Sequence, residues 1–275
     1  MINTSDIFFD DDRVENIIKD WTKENIHIVT DFDRTLTSGD SGTSWSLISH
    51  AGILPEGYNI RRQEYYEYYR PIEINAAMPI EQKKEEMTLW WVKHLELLAE
   101  YKLKENVFDN ITKGQSSIQF RDGAQELLYF CRKESIPIII MSAGLGNVVE
   151  SFLKNNNCLY ENIHIISNFL VFKDGIVSGV PEHIIHSVNK NECELPAWLK
   201  TEIDKRPYPI LMGDGIDDIN MISDEQRKKA LTIGFLDEGR ESNFEIFQNI
   251  YDMVCINNCS LEPITKIISR KINFI

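Results

Sequence analysis

Asp31-Phe32-Asp33-Arg34-Thr35-Leu36-Thr37 follows directly on the apolar run Ile26-His27-Ile28-Val29-Thr30. The run predicts a buried strand over 26–30, and the break into Asp-Phe-Asp marks its carboxyl end. In open α/β sheets that edge is where ligands bind. Asp is a poor strand former and is costly to bury unpaired, so two carboxylates two residues apart need an external reason. A divalent cation and a phosphate group would supply it.

The rest of the chain supplies a setting for such an edge. From residue 120 onward helical and apolar stretches alternate. Ala124–Cys131 reads as a helix, 136–141 (Ile-Pro-Ile-Ile-Ile-Met) as a strand, Val148–Leu153 as a helix and Ile163–Ile166 as a strand. Phe169–Val171 and Ile176–Val177 flank Lys173-Asp174-Gly175, a hairpin signal. Further strands are expected at Pro209–Met212, Ala230–Gly234 and Met253–Ile256, with a closing helix over Leu261–Ile268. A first helix is expected over 13–22, where Val14, Ile17, Ile18 and Trp21 recur at helical intervals. This pattern implies an α/β fold with a mostly parallel sheet covered on both faces. Residues 38–115 differ: Tyr65, Tyr66, Tyr68, Tyr69 and Trp90-Trp91 sit in Glu/Lys-rich amphipathic stretches with no strand run. That segment is expected to be a helical cap inserted after the first motif, with residues 1–37 and 116–275 forming the core.

Composition narrows the function. The chain has 275 residues, 43% hydrophobic and 26% charged, an ordinary soluble balance with enough material for a large core. A net charge of −14 argues against a nucleic-acid groove or an anionic membrane surface. A phosphate substrate must then be held by local positive charge. No apolar run approaches the length of a membrane span. The amino terminus, with Asp6, Asp10, Asp11 and Asp12, lacks the pattern of a signal peptide. A cytoplasmic location is expected. Cys131, Cys158, Cys193, Cys255 and Cys259 are odd in number and irregularly spaced, which reads as reduced core thiols.

Two further strand ends carry chemistry. Met141-Ser142-Ala143-Gly144-Leu145-Gly146 lies between a strand and a helix, where glycines and free N–H groups suit an anion. It also reads as an ordinary tight turn capped by Ser142. Met212-Gly213-Asp214-Gly215-Ile216-Asp217-Asp218 puts carboxylates at another strand end, suited to Mg²⁺ or simply to a solvated acidic turn. Asp-x-Asp by itself also serves as a loop or helix cap, and Lys190 alone reads as a surface charge. Their conjunction decides: Asp-x-Asp, Ser-x-Gly, a lysine and Gly-Asp-x-x-x-Asp fall in order, the three acidic or glycine-rich motifs each after an apolar strand.

This ordered set resembles the haloacid dehalogenase (HAD) superfamily, with its Asp-x-Asp-x-Thr loop, Ser/Thr, Lys/Arg and carboxylate pair. Within it the chain is similar to the cytosolic pyrimidine-type 5′-nucleotidases from about residue 13 to the carboxyl terminus. The similarity rests on Ile28-Val29-Thr30-Asp31-Phe32-Asp33-x-Thr35-Leu36, Tyr68-Tyr69-x-x-Ile72-Glu73, Ser142-Ala143-Gly144-x-Gly146-x-Val148-x-Glu150, Ser167-Asn168-Phe169 and His186-x-x-Asn189-Lys190. The chain departs from the family pattern in carrying Asp217 for Gly and Asn147 for Asp.

The resemblance implies a Rossmann-like HAD core and a Mg²⁺-dependent phosphatase acting on nucleoside 5′-monophosphates, pyrimidine preferred. It implies Asp31 as nucleophile, Asp33 as acid/base, and Mg²⁺ held by Asp31, Asp33 (through its carbonyl) and Asp214. Thr35, Ser142, Ala143, Gly144 and Lys190 would hold the phosphate. Asp218 would orient Lys190 or a metal-bound water, and Glu73 would contact the base or sugar. Two alternatives stay open: another small phosphomonoester such as phosphoserine, or a phosphate-binding protein without turnover.

Overall fold

The computed structural model describes residues 6–75, 77–114, 117–190, 195–237 and 240–272; Cys193 lies outside them. The strands are β1 (Ile7–Phe9), β2 (Ile26–Thr30), β3 (Ile138–Leu145), β4 (Ile163–Asn168), β5 (Val171–Lys173), β6 (Ile176–Gly179), β7 (Tyr208–Gly213), β8 (Leu231–Leu236) and β9 (Met253–Ile256). Seven of them form one sheet in the order β1-β9-β8-β7-β2-β3-β4, with β5 and β6 paired as a separate hairpin. Among the described residues β1 runs antiparallel to β9 and the other neighbours in the large sheet are parallel.

Side chains on successive strand residues point to opposite faces, so each apolar strand feeds two cores. Ile26, Ile28, Ile138, Ile140, Ile210, Met212 and Ile233 pack into one. Val29, Ile139, Met141, Leu211 and Val254 pack into the other. Over the first face lie α1 (Asp11–Ile18), α6 (Ala124–Lys133), α7 (Gly146–Asn155) and α11 (Glu262–Ile272), through residues such as Val14, Leu127, Phe152 and Ile268. Leu199 and Ile203 of α8 (Ala197–Ile203) and Phe247 of α10 (Phe244–Ile250) cover the second. The runs read as strands are buried on both sides for this reason, as expected of a parallel sheet.

Between β2 and α6 come α2 (Ser44–His50), α3 (Glu56–Glu73), α4 (Ile80–Glu100) and α5 (Val107–Ile111). Tyr69, Met87, Trp90 and Trp91 form a small aromatic cluster of their own there, against which Trp45, Tyr65 and Ala143 pack.

Some boundaries differ from expectation. Strand β1 has only three residues inside an acidic stretch, too short for a periodic signal; its pairing to β9 creates it. Helix α1 starts at Asp11, because the Asp10 side chain accepts from Arg13 N at 2.9 Å, and ends at Ile18 instead of running to 22. Strand β3 continues to Leu145, so Ser142, Ala143 and Gly144 lie in its irregular last stretch, where the register to β4 shifts.

One buried cation ties the chain together where it leaves and re-enters the core. Arg121 is 1% exposed and its five N–H groups all find acceptors. Nε donates to Thr35 O (2.9 Å), Nη2 to Arg34 O (2.5 Å) and Asp237 Oδ2 (3.0 Å), and Nη1 to Asn258 Oδ1 (3.0 Å) and Cys259 O (3.3 Å). The guanidinium also lies 4.4 Å over the Phe235 ring. Removing one partner of such a pair leaves a buried charge uncompensated. Arg121→Met is therefore expected to lower unfolding stability by about 3 kcal/mol or more, read by urea denaturation; a loss under about 1 kcal/mol would contradict this role.

Candidate active site

β2 lies at the centre of the motif-bearing edge, with Thr30 paired to Ile140 on one side and Met212 on the other. Parallel pairing in this register brings the carboxyl ends of β2, β3 and β7 to one edge. Asp31, Ser142 and Asp214, far apart in sequence, therefore converge. Asp31 N donates to Met212 O at 3.0 Å, fixing the first motif against the third strand end.

Asp31 is 5% exposed and its carboxylate takes a short hydrogen bond from Lys190 Nζ, which donates also to Asp218 Oδ1 at 2.9 Å. Asp218 Oδ2 accepts from Gly215 N at 2.8 Å. Burial pushes the Asp31 carboxyl well up; Lys190 pulls it down, while Asp218, Asp214 and Asp33 raise it again. Burial also works against the Lys190 charge, but Asp218 and Asp31 outweigh it and hold the ammonium above its ordinary value. Asp214 is pushed up to about 6, by burial first and then by Asp218, although Arg240 Nη2 lies 3.2 Å from its Oδ2.

Carboxylate oxygens of Asp31, Asp214 and Asp218 lie within 4.8 Å of one another. Three carboxylates thus crowd around Lys190, and Asp31 and Asp214 are raised by burial first and by their acidic neighbours second. An all-oxygen donor set without His or Cys fits a hard divalent cation. The Asp33 carboxylate is turned away from this trio: it accepts from Ser44 N and Ser44 Oγ, both at 2.9 Å. Burial raises its value and the Ser44 bonds oppose the rise.

Ser142 is 1% exposed, and its Oγ accepts from Gly144 N at 3.1 Å. Gly144 has no room for a side chain, since a Cβ there would stand 1.9 Å from Ser44 Oγ. The Ala143 carbonyl accepts from Trp45 Nε1 (3.3 Å), Trp91 Nε1 (2.6 Å) and Asn168 Nδ2 (3.1 Å), which clamps the loop from both sides. Asn168 also exchanges bonds with Ile185, and Asn189 with His186 and Ile184, so both asparagines shape the loop that delivers Lys190.

A cavity of about 410 Å³ opens above these groups. Its floor includes Asp31, Asp33, Ser142, Ala143, Gly144, Lys190 and Asp214, and its upper wall Trp45, Arg62, Tyr66, Arg70, Glu73, Trp90, Trp91 and His94. Of the residues expected in the site, Thr35 is absent from this lining. It is wholly buried, its hydroxyl has no hydrogen-bond partner, and its carbonyl accepts from Arg121. Asp218 lies behind Lys190. Glu73 faces the cavity with Oε1 accepting from Ser187 Oγ at 2.7 Å and Oε2 from Arg70. Ser44, Trp45 and Trp91 contact the motif loops and went unassigned in the sequence; the Trp90-Trp91 pair was the one visible signal.

The sheet order and the converging motifs define a HAD-type phosphatase fold. The pyrimidine 5′-nucleotidase (UMPH-1) family model matches residues 13–272, and the chain belongs to that family. It is 33% identical over 262 residues to a 7-methylguanosine phosphate-specific 5′-nucleotidase of Drosophila melanogaster, covering 91% of this chain and 82% of that one. A human protein of the same description is 26% identical over 270 residues, covering 94% and 89%. The fold is similar to the crystal structure of cytosolic 5′-nucleotidase IIIB bound to cytidine, with a TM-score of 0.86 and 29% identity over 100% of this chain and 97% of the other. A phosphoserine phosphatase shares the fold at a TM-score of 0.53 and 21% identity, over 90% and 100% of the two chains.

The Asp214 shift gives a pH prediction. Its folded-state value of about 6 lies above the ordinary carboxylate value of 3.8, so the unfolded chain ionises first. Metal-free stability contributed by this group is then lost as pH rises from about 4 to 6. In EDTA, Asp214→Asn is expected to melt above wild type at pH 7.5, with the gap closing by pH 4. An unchanged gap across that range would contradict the assignment.

Proposed function

We propose that the chain hydrolyses nucleoside 5′-monophosphates through an aspartyl-phosphate with the help of Mg²⁺. The observation that carries this is the Asp31–Lys190 pair at the floor of a cavity whose upper wall is aromatic and charged. Asp31 attacks the phosphorus in line, its oxygen forming a bond as the bond to the ribose 5′-oxygen breaks. Asp33 gives that oxygen a proton and afterwards takes one from the water that releases phosphate and restores Asp31. The raised value of Asp33 suits it to this exchange. Ser142 and the N–H groups of Ala143 and Gly144, with Lys190, hold the phosphate oxygens, the positioning on which phosphoryl transfer depends. Asp218 keeps Lys190 in place. Asp31, Asp214 and the Asp33 carbonyl would hold Mg²⁺, whose charge when bound offsets the repulsion between nucleophile and phosphate.

Helices α2–α5 act in this reading as the cap that receives the leaving group. Glu73 keeps acceptor sites free beyond its bonds to Ser187 and Arg70, which favours an exocyclic amino group and so, among pyrimidines, cytosine over uracil or thymine. A second reading, 7-methylguanosine monophosphate, is favoured by the indole walls of Trp45, Trp90 and Trp91, since aromatic faces attract a cationic ring. The described cysteines, Cys131, Cys158, Cys255 and Cys259, are all unpaired, which supports a cytoplasmic setting.

Asp31→Asn is expected to cut kcat for CMP at least a thousandfold, about 4 kcal/mol in barrier, with the fold intact. Activity within tenfold of wild type would overturn the nucleophile assignment. EDTA is expected to abolish turnover and Mg²⁺ to restore it. The substrate class is tested by kcat/KM for CMP, UMP, GMP, 7-methylguanosine monophosphate and phosphoserine; a lead for phosphoserine would overturn the nucleotidase reading and leave the phosphatase chemistry standing.

A further inference from the structure

Helices α3 and α4 carry buried polar side-chain atoms that have no hydrogen-bond partner. Tyr58 Oη, Asn59 Oδ1 and Arg62 Nε on α3, and Trp90 Nε1 and His94 Nε2 on α4, all lack a hydrogen-bond partner. Buried polar atoms are almost always paired, so five on two packed helices call for a reason. Residues 58, 59 and 62 share one turn of α3, and 90 and 94 are successive on one side of α4. The Arg62 charge is felt at both Tyr58 and His94, so the two rows meet. Arg62, Trp90 and His94 line the catalytic cavity. None of them is used by the phosphate chemistry.

We propose that Arg62 and His94 form the base-reading end of the cavity and select a neutral nucleobase that offers a hydrogen-bond acceptor such as a ring carbonyl. This rests on the nucleotidase reading and deepens it. A guanidinium only donates hydrogen bonds and stays charged at any physiological pH. Among the described residues no carboxylate pairs with Arg62, whereas the other cap guanidinium at the cavity, Arg70, is matched by Glu73. The cap therefore leaves one guanidinium at the cavity wall that forms no ion pair among the described residues.

His94 is 7% exposed, and burial, then the Arg62 charge, push its value down to about 3. It is neutral in the folded protein and offers one donor and one acceptor nitrogen. Stacking on Trp45 at 4.8 Å, with an interplanar angle of 18°, fixes the plane of the imidazole. A carbonyl oxygen entering here would satisfy donors that are otherwise buried unpaired, and discrimination of that kind is large because the wrong ligand leaves them so. A cationic base such as 7-methylguanine is attracted by the indoles but repelled by the unmatched guanidinium.

The test uses nucleosides, whose binding needs no turnover. Calorimetry with cytidine is expected to give at least tenfold weaker binding to Arg62→Leu and at least fivefold weaker binding to His94→Phe, a change that keeps the stacking. In kinetics Arg62→Leu is expected to raise KM for CMP about tenfold with kcat within threefold. The kcat/KM ratio of 7-methylguanosine monophosphate to CMP should rise at least tenfold. Arg62→Lys, which keeps the charge without the planar fork, serves where the leucine variant does not fold, and should weaken cytidine binding without raising that ratio. Cytidine binding at wild-type strength in the variants, with nucleotides still hydrolysed, overturns this proposal alone. A wild-type protein that binds no nucleoside and cleaves no nucleotide overturns the nucleotidase reading with it.

Discussion

The ammonium of Lys190, buried between the carboxylates of Asp31 and Asp218, sets the conditions for everything around it. Carboxylates desolvated side by side repel one another, and without a central cation the pocket would either take up protons or open. The lysine reaches this position from a loop shaped by Asn168 and Asn189, and it cannot be delivered unless β2, β3 and β7 are in parallel register. Catalytic order and sheet order are thus one constraint. Even so the acids around Lys190 outnumber it: Asp31 and Asp214 are raised by burial first and by neighbouring carboxylates second, and an all-oxygen cluster of this kind suits a divalent ion.

A second set of contacts joins the helical segment to this core through the backbone of the phosphate loop. Trp45 and Trp91 both donate to the Ala143 carbonyl, Ser44 holds Asp33, and Thr88 Oγ1 lies 3.2 Å from His186 Nε2. Each contact has one end on the insert and the other on a motif loop or on the loop that carries Lys190. Helices α2 and α4 thus hold both the Asp33 carboxylate and the Ala143 carbonyl. Under the proposed function a change in substrate choice need not disturb the sheet edge, because the side chains proposed to contact the base stand on the opposite wall of the cavity.

Beneath the site, Arg121 plays the corresponding part for the backbone. By donating to the carbonyls of Arg34 and Thr35 it braces the loop that carries Asp31 and Asp33. Its partner Asp237 also accepts from Asn258 N at 3.1 Å and crowds Gly39, where a Cβ would stand 2.1 Å from Asp237 Oδ2. The first linker to the helical segment thus crosses a surface with room for glycine only.

The strand-forming runs, the hairpin at Asp174-Gly175 and the three motif-bearing strand ends were legible in the sequence, because parallel strands buried on both faces are written as unbroken apolar runs. The HAD family could be read from the order of motifs alone. Strand β1 was not legible, since three residues acquire strand geometry only from the β9 edge they pair with. Thr35 shares the loop with Asp31 and Asp33, but the left-handed turn at Arg34 (φ 61°) separates them, and only the folded chain shows that Thr35 is buried outside the cavity lining. Arg62 and His94 belong to no motif that the sequence offers. Their meaning depends on which side chains lack a partner after packing, and that is a property of two helices together, which neither sequence segment contains.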